Sequence, residues 1–535
     1  MMKHGMKLSI LALALAGTGF GAIAADEITV TQTGDRNGMN YDSLGGNTAT
    51  VEQVGNDNAI FTGEFTGAGN TATMTQSGDA NEIFLNDNSG TIGADNTFTL
   101  NQAGQAGLGK GEGQLLEIET SGVNNTIDSL QQADSSISTD RNQITVNLGG
   151  DSNMLDLDQN GADNSQTISA LDYQNSEITV NQTGEGNITT LTSAINVTNN
   201  SLFSSVQSGQ GNNVTGAMTS ADNASISSVQ YGASNMVNAT GRNLSNTNIT
   251  FNQGVDGDNS ASNIATASAQ SVSDSTLTST QVGTSNTLDI DVFASDNITY
   301  DLNQDGAGNR IDYASSYFSS DSSLTVDQNG NGNLTFIIAD GVGNDFNLTQ
   351  NGDSNDARLL DSEFAGNQSV TLNVTQNSTA ETAGNDLILD QSNVNLATVD
   401  FTQTGDQNTA NVALKNANDL DVDVIQDGEM NSLSLIARNG QALIDIEQLG
   451  TNNGIFAADG SGAFIMDGDN SLTVTQDGAN NRLLGSQVGS GNSIMLTQSG
   501  AGDNLATVTQ DGMGNVANIT QGGMNNAANI TQLNP

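Results

Sequence analysis

The chain has 535 residues and a formal charge of −49, with 35% hydrophobic residues, 4% aromatics and neither tryptophan nor cysteine. Such a charge repels phosphate and argues against a nucleic-acid partner. The only histidine is His4 and there is no cysteine, which removes Ser-His-Asp and Cys-His catalysis and the usual zinc ligands.

The N-terminus reads as a signal peptide over 1–24. Lys3, His4 and Lys7 form a basic start, 8–16 an apolar run, and Ala22-Ile23-Ala24 a small-residue cleavage site. The apolar run is too short to span a bilayer comfortably, and no later stretch approaches about 20 apolar residues. The expectation is a secreted protein that is not membrane-embedded.

From 25 to 475 the phrase Gln-x-Gly-x-x-Asn recurs, as at Gln32, Gln53, Gln76, Gln159, Gln182, Gln207, Gln230, Gln281, Gln304, Gln328, Gln350, Gln403, Gln426 and Gln448. Neighbouring phrases commonly lie 21 to 25 residues apart, with a degenerate unit between them. One such unit, Asn142, Ile144, Val146 and Leu148, puts leucine where glutamine is expected, which marks the glutamine position as inward-facing. The phrase is weakest around 105–138 and 366–395, which read as irregular coils or projecting loops within one continuous array.

From 476 to 535 the unit halves and becomes regular. Gln476, Gln487, Gln498, Gln510, Gln521 and Gln532 are separated by 11, 11, 12, 11 and 11 residues. The first five are followed by Gly478, Gly489, Gly500, Gly512 and Gly523, then by Asn481, Asn492, Asn504, Asn515 and Asn526. Apolar residues alternate from each asparagine to the next glutamine, as in Asn515, Ala517, Ile519, Gln521. Strict alternation closed by a glycine corner describes a short strand and a tight turn, with glycine supplying positive φ. The one proline, Pro535, is the last residue, where average usage predicts about 25. Proline cannot donate to a strand ladder, so its loss fits a chain committed to β-pairing.

These periods predict an all-β solenoid: two-strand β-arch coils, stacked parallel and in register about 4.8 Å apart. About 22 coils would make a rod on the order of 100 Å long. The recurrent Asn and Gln side chains would face a dry seam and bond to their copies above and below, as in cross-β ladders. An inward amide without that ladder would cost about 1–3 kcal/mol.

The phrase 510–521, Gln-Asp-Gly-Met-Gly-Asn-Val-Ala-Asn-Ile-Thr-Gln, resembles the curlin repeat of curli, the amyloid fibres of bacterial surfaces. The resemblance covers most of the chain and is strongest over 476–532. It implies a secreted fibre (pilus) subunit that self-assembles at the cell surface, with curli-type secretion and nucleation proteins as partners and adhesion and biofilm matrix as its use. The alternative is a monomeric acidic β-solenoid adhesin, stabilised by calcium at corners such as Asp256-Gly257-Asp258 and Asp467-Gly468-Asp469. Neither corner follows the calcium β-roll nonapeptide, and solvated corners are the simpler reading. The acid gathers mainly in corners: Asp35, Asp79, Asp305, Asp353, Asp406, Asp427, Asp477 and Asp511. There it serves solubility or holds back premature stacking. Paired carboxylates Asp156 and Asp158, or Asp421 and Asp423, sit at spacing two and read as one outward strand face. No enzyme, catalytic residue, metal site or cofactor is expected.

Overall fold

A computed structural model describes residues 27–534 apart from 34–37, 44–45, 56–57, 66–67, 78–81, 86–94, 105–114, 121, 134–142, 162, 194–197, 255–260, 317–318, 340, 362–369, 379–383, 393–397, 416–418, 439–440, 456–463 and 501. The signal segment, Asp35, Asp79, the 256–258 corner and much of the two weak stretches lie outside the described residues. No helix occurs among the described residues. The chain is a β-solenoid whose main sheet holds 39 strands among the described residues, every pair of them parallel.

Each coil contributes one strand to each of two faces. On the first face Glu27–Gln32 pairs with Thr48–Gln53, which pairs with Thr71–Ser77, and the stack continues through Asn470–Val474. On the second face Gln166–Gln174 pairs with Thr189–Ser193, then Val214–Asp222, then Val237–Ser245. Register follows side-chain chemistry: Ile178 lies on Phe203, and Phe203 on Ile226. A slip of one residue would turn every inward side chain to water, so alternation fixes the register.

Burial follows the two-residue period. Thr48–Gln53 and Leu288–Phe293 both alternate exposed and buried positions, with Ala49, Val51, Gln53 and Leu288, Ile290, Val292 inside. The core is a narrow seam between the faces, and Leu148 lies in it as expected. Because each coil adds few apolar side chains, low overall hydrophobicity is compatible with a continuous dry interior.

The two corners of a coil differ, and the sequence period hides this. At the second corner of the middle coils, two left-handed residues stand three apart: Ser220 and Asn223, Asn243 and Asn246, Ser271 and Asp274, Ala294 and Asn297. Asn and Asp tolerate this conformation better than other residues with a side chain. The long strand Ala265–Ser279 shows the outcome. Its first part pairs with Leu288–Phe293 and its last part with Asp296–Asn303 on the other face. The degenerate unit between Gln-x-Gly-x-x-Asn phrases is therefore a different corner.

Candidate functional site: the amide ladders and the open end

Each Gln-x-Gly-x-x-Asn corner is braced from inside by its own amides. The Gln230 Nε2 donates 2.8 Å to the Met236 carbonyl, six residues on, and 3.0 Å to Oε1 of Gln253 in the next coil. Its own Oε1 accepts from Gln207 Nε2 at 2.8 Å. Gln182, Gln426 and Gln476 bridge their corners in the same way, to Ile188, Ser432 and Arg482 carbonyls. One primary amide thus uses both hydrogens and its oxygen without water. On the other side of the corner, Asn235 Nδ2 donates 2.8 Å to Asn212 Oδ1 and 3.0 Å to the Tyr231 carbonyl.

The glutamines form one chain of amide-to-amide bonds from Gln159 through Gln182, Gln207 and Gln230 onwards to Gln448, Gln476, Gln498 and Gln521. The matching asparagines run from Asn164 through Asn187 and Asn212 to Asn453, Asn481, Asn504 and Asn526. The two ladders have opposite sense. Every glutamine donates towards the C-terminal end, whereas every asparagine donates back towards the N-terminal end. Nearer the N-terminus Gln53 still donates to Gln76 at 3.1 Å, but the amide bonds lapse between Gln102 and Gln131, which lie in register with Oε1 of each buried without a partner.

The structure separates the regular 11-residue series into two columns. Gln476, Gln498 and Gln521 continue the first ladder with Asn481, Asn504 and Asn526. Gln487, Gln510 and Gln532 form a second, with bonds of 3.1 and 2.6 Å, on the opposite face. Asn492 bonds back to Asn470 at 2.7 Å, and Asn515 bonds to Asn492. From 487 on, both corners of a coil carry the Gln-x-Gly-x-x-Asn phrase; upstream only one does. Gln476, Asn481, Gln487, Asn492, Gln498, Asn504 and Gln510 are buried. Asn515 and Gln521 are half-buried, and Asn526 and Gln532 are exposed.

Glycine's role differs from the expectation of positive φ. Gly478, Gly489, Gly500, Gly512 and Gly523 all lie in bends, but the left-handed residue is the next one: Ala479, Ser490, Met513 and Met524, with φ of 80 to 86°. The residue after Gly500 is outside the described residues. The carbonyl of Ala479 accepts from the Asn481 N–H at 2.8 Å, so the unusual conformation aims the ladder asparagine inward. Two glycines outside the motif are held by close approach instead. A Cβ on Gly502 would meet the Ala479 carbonyl oxygen at 1.3 Å, and one on Gly384 would meet the Asp353 oxygen at 2.2 Å.

A further site was not anticipated from the phrase. At the second corner the N–H of Asn70 donates to Asn96 Oδ1, that of Asn96 to Asn125 Oδ1, and that of Asn153 to Ser176 Oγ. Thr247 to Ser275 and Ser322 to Asn344 repeat it. The signal was present as an Asx followed by Asn, Ser or Thr once per coil: Asp95-Asn96, Asn124-Asn125, Asn175-Ser176, Asn246-Thr247, Asp274-Ser275.

The outward carboxylates take the expected positions. Asp156 and Asp158 share one strand face with Asp128 in register below Asp156, and burial followed by these like charges raises the Asp156 pKa above the usual carboxylate value. Asp423 stacks between Asp400 and Asp445, and burial, then Asp421, Asp445 and Asp400, raise its pKa likewise. Asp469 is held below the ordinary value by hydrogen bonds from Ser490 and Gln441. No group of three or more metal-ligating residues occurs among the described residues.

The last described coil lies at one end of the stack. Ala528–Ile530 pairs with Ala506–Val508 on one side only. Met513, Val516, Met524, Ile530 and Leu533 are exposed there, the two methionines at 63% and 65%. The first described strand, Glu27–Gln32, likewise leaves Ile28, Val30 and Gln32 only half-buried.

Comparison with known families matches the curlin associated repeat at 320–352, 469–500 and 502–533. The chain carries curlin-associated repeats. All three matches fall on coils of the solenoid, including those that bear the Gln328–Gln350, Gln476–Gln498 and Gln510–Gln532 bonds. No curated protein and no solved structure matches the chain. No helix among the described residues is long and apolar enough to cross a membrane.

Proposed function

We propose that this curlin-repeat chain is an extracellular structural subunit that polymerises end to end into a cross-β fibre. The observation that carries the reading is the pair of amide ladders, which bond coil to coil from Gln159 to Gln521 and from Asn164 to Asn526 and keep strands, amides and apolar side chains aligned along the stacking axis. Each coil presents the same strand edges and amides to the next, and an unpaired edge of this kind recruits other chains. Here the C-terminal side of a ladder coil offers glutamine N–H donors and an asparagine carbonyl acceptor, since the two ladders run in opposite senses. By the same sense, the N-terminal side of a ladder coil offers glutamine acceptors and asparagine donors. The ends are complementary and unlike, so their contact is head-to-tail and does not close, which gives filaments.

Entering the ladder completes amides that one molecule leaves half-used. Each buried bond contributes about 1 kcal/mol net, and burial of the exposed methionines and leucine adds roughly 1.5–3 kcal/mol for each large side chain. The acidic surface opposes the approach of copies and sets a salt-sensitive rate. As such a subunit the protein is secreted through its signal segment and a curli-type export and nucleation system. At the cell surface it serves adhesion and biofilm matrix.

The test is incubation of the purified chain without its signal segment, followed by thioflavin fluorescence, electron microscopy and fibre diffraction. Unbranched fibres with a reflection near 4.8 Å along the axis are expected. A chain that stays monomeric for days at high concentration, with or without seeds, would refute the proposal.

A further inference from the structure

Most outward positions on the strand faces are polar or acidic, but one patch of the second face is not. It spans three successive coils in register. Asp312 lies on Phe336 and Phe336 on Arg358. Ile311, Thr335 and Ala357 are also aligned, which places Arg310, Leu334 and Asp356 in the column before. The middle coil is therefore apolar and is flanked by an Arg–Asp pair on either side. Arg310, Asp312, Leu334, Phe336 and Arg358 line a surface depression of about 420 Å³. Ile338 and Leu360, half-buried and outward, extend its apolar part along the strands.

The two ion pairs point in opposite directions. Arg310 Nη2 meets Asp312 Oδ2 at 2.6 Å, running from the first column to the second. Arg358 Nη2 meets Asp356 Oδ2 at 2.6 Å, running from the second column to the first. Both guanidiniums stay about half exposed, at 53% and 45%, so their outer N–H groups remain open to a further carboxylate.

We propose that this patch docks a second copy of the chain, face to face, across a two-fold axis parallel to the strands. That rotation exchanges the outer coils and keeps the middle one. Arg310 then faces the partner's Asp356, Asp312 faces the partner's Arg358, and Phe336 and Ile338 face their own copies. A patch that is its own complement is what an isologous contact requires. The charge pattern names the occupant: a chain of −49 repels its copies everywhere except where opposite charges meet in matched positions. The contact lies on strand faces and leaves the coil ends free. It holds whether or not the ends stack, and in a fibre it binds neighbouring filaments laterally.

The chain has no cysteine, so a single introduced thiol reports geometry. Under the two-fold, I338C lies opposite itself across packed sheets about 10 Å apart, within reach of a short bis-maleimide. Cross-linked dimers should form roughly tenfold faster from I338C than from T215C, an outward position of the same face outside the patch. In the I338C background, D312R alone and R358D alone should each abolish that advantage. The double exchange D312R/R358D should restore it, because the intermolecular pair re-forms with its charges swapped. If the arginines act only within their own coils, the double exchange sets like charges together on both coils and cross-links worst of all. That outcome, or equal rates from I338C and T215C, overturns the proposal.

Discussion

Replacing one buried ladder amide should cost far more than its single position suggests. Gln230→Ala removes three hydrogen bonds at once: those to Met236 O, to Gln253 Oε1 and from Gln207 Nε2. The Met236 carbonyl keeps the Val214 N–H as a donor, but Gln253 Oε1 and one Gln207 Nε2 hydrogen are left buried without a partner, and each orphan costs about 1–3 kcal/mol. The expected loss is roughly 2–6 kcal/mol, with a further contribution from the cavity. Gln253→Ala has the same anatomy, since Gln253 donates to Ile264 O and Gln281 Oε1. The double substitution, however, removes both ends of the Gln230–Gln253 bond. It should therefore be less than additive, by about 2 kcal/mol or more. Solenoids open locally, so the readout is hydrogen exchange of the backbone over 225–253, which measures the opening free energy of those coils. Ser227→Ala, outward on the same face, supplies the baseline. A Gln230→Ala effect no larger than that of Ser227→Ala, or full additivity of the pair, would refute the ladder as a source of stability.

Ala479→Gly should stabilise its coil by up to about 1 kcal/mol, since φ is 83° there, whereas Gly478→Ala should be nearly neutral because its Cβ would meet only the Leu449 oxygen at an ordinary 3.7 Å. By contrast Gly502→Ala should disrupt the last coils, and thermal melts of the three variants rank them. The Asp156, Asp289, Asp386 and Asp423 pKa values are all raised, chiefly by burial, so the folded state holds protons more tightly than the unfolded chain. Stability should rise as pH falls from 7 towards the ordinary carboxylate range of about 4, and Asp423→Asn should raise the melting temperature at pH 7 and flatten that rise. Asp222 and Asp469, held low by hydrogen bonds, lose their contribution only below that range. Ile530→Pro should slow fibre growth at the C-terminal end without unfolding the rod. The Thr531 N–H bonds inward to Val508, so the Ile530 N–H points outward by strand alternation. Undiminished elongation on seeds of this variant, followed by microscopy of end-labelled fibres, would contradict growth there.

Much of the architecture was written in the sequence because a solenoid converts local period directly into tertiary contact. The alternation Asn504, Ala506, Val508, Gln510 specifies which side chains are buried, and a fixed spacing of phrases specifies which coil lies on which. The absence of internal proline and the leucine at 148 carried the same message, since strand pairing and an inward seam are local demands repeated many times. Other features needed coordinates. Six evenly spaced glutamines from 476 to 532 look like one series, yet they alternate between two columns on opposite faces. The linear spacing cannot tell one corner from two. The left-handed residue lies one position beyond the motif glycine, because the corner needs its carbonyl aimed at the ladder asparagine and not merely a flexible joint. The opposite senses of the Gln and Asn ladders, and the matched Arg–Asp pairs around Phe336, arise only when coils some 22 to 24 residues apart are laid in contact. Composition sets what each residue prefers; stacking decides which copy answers it.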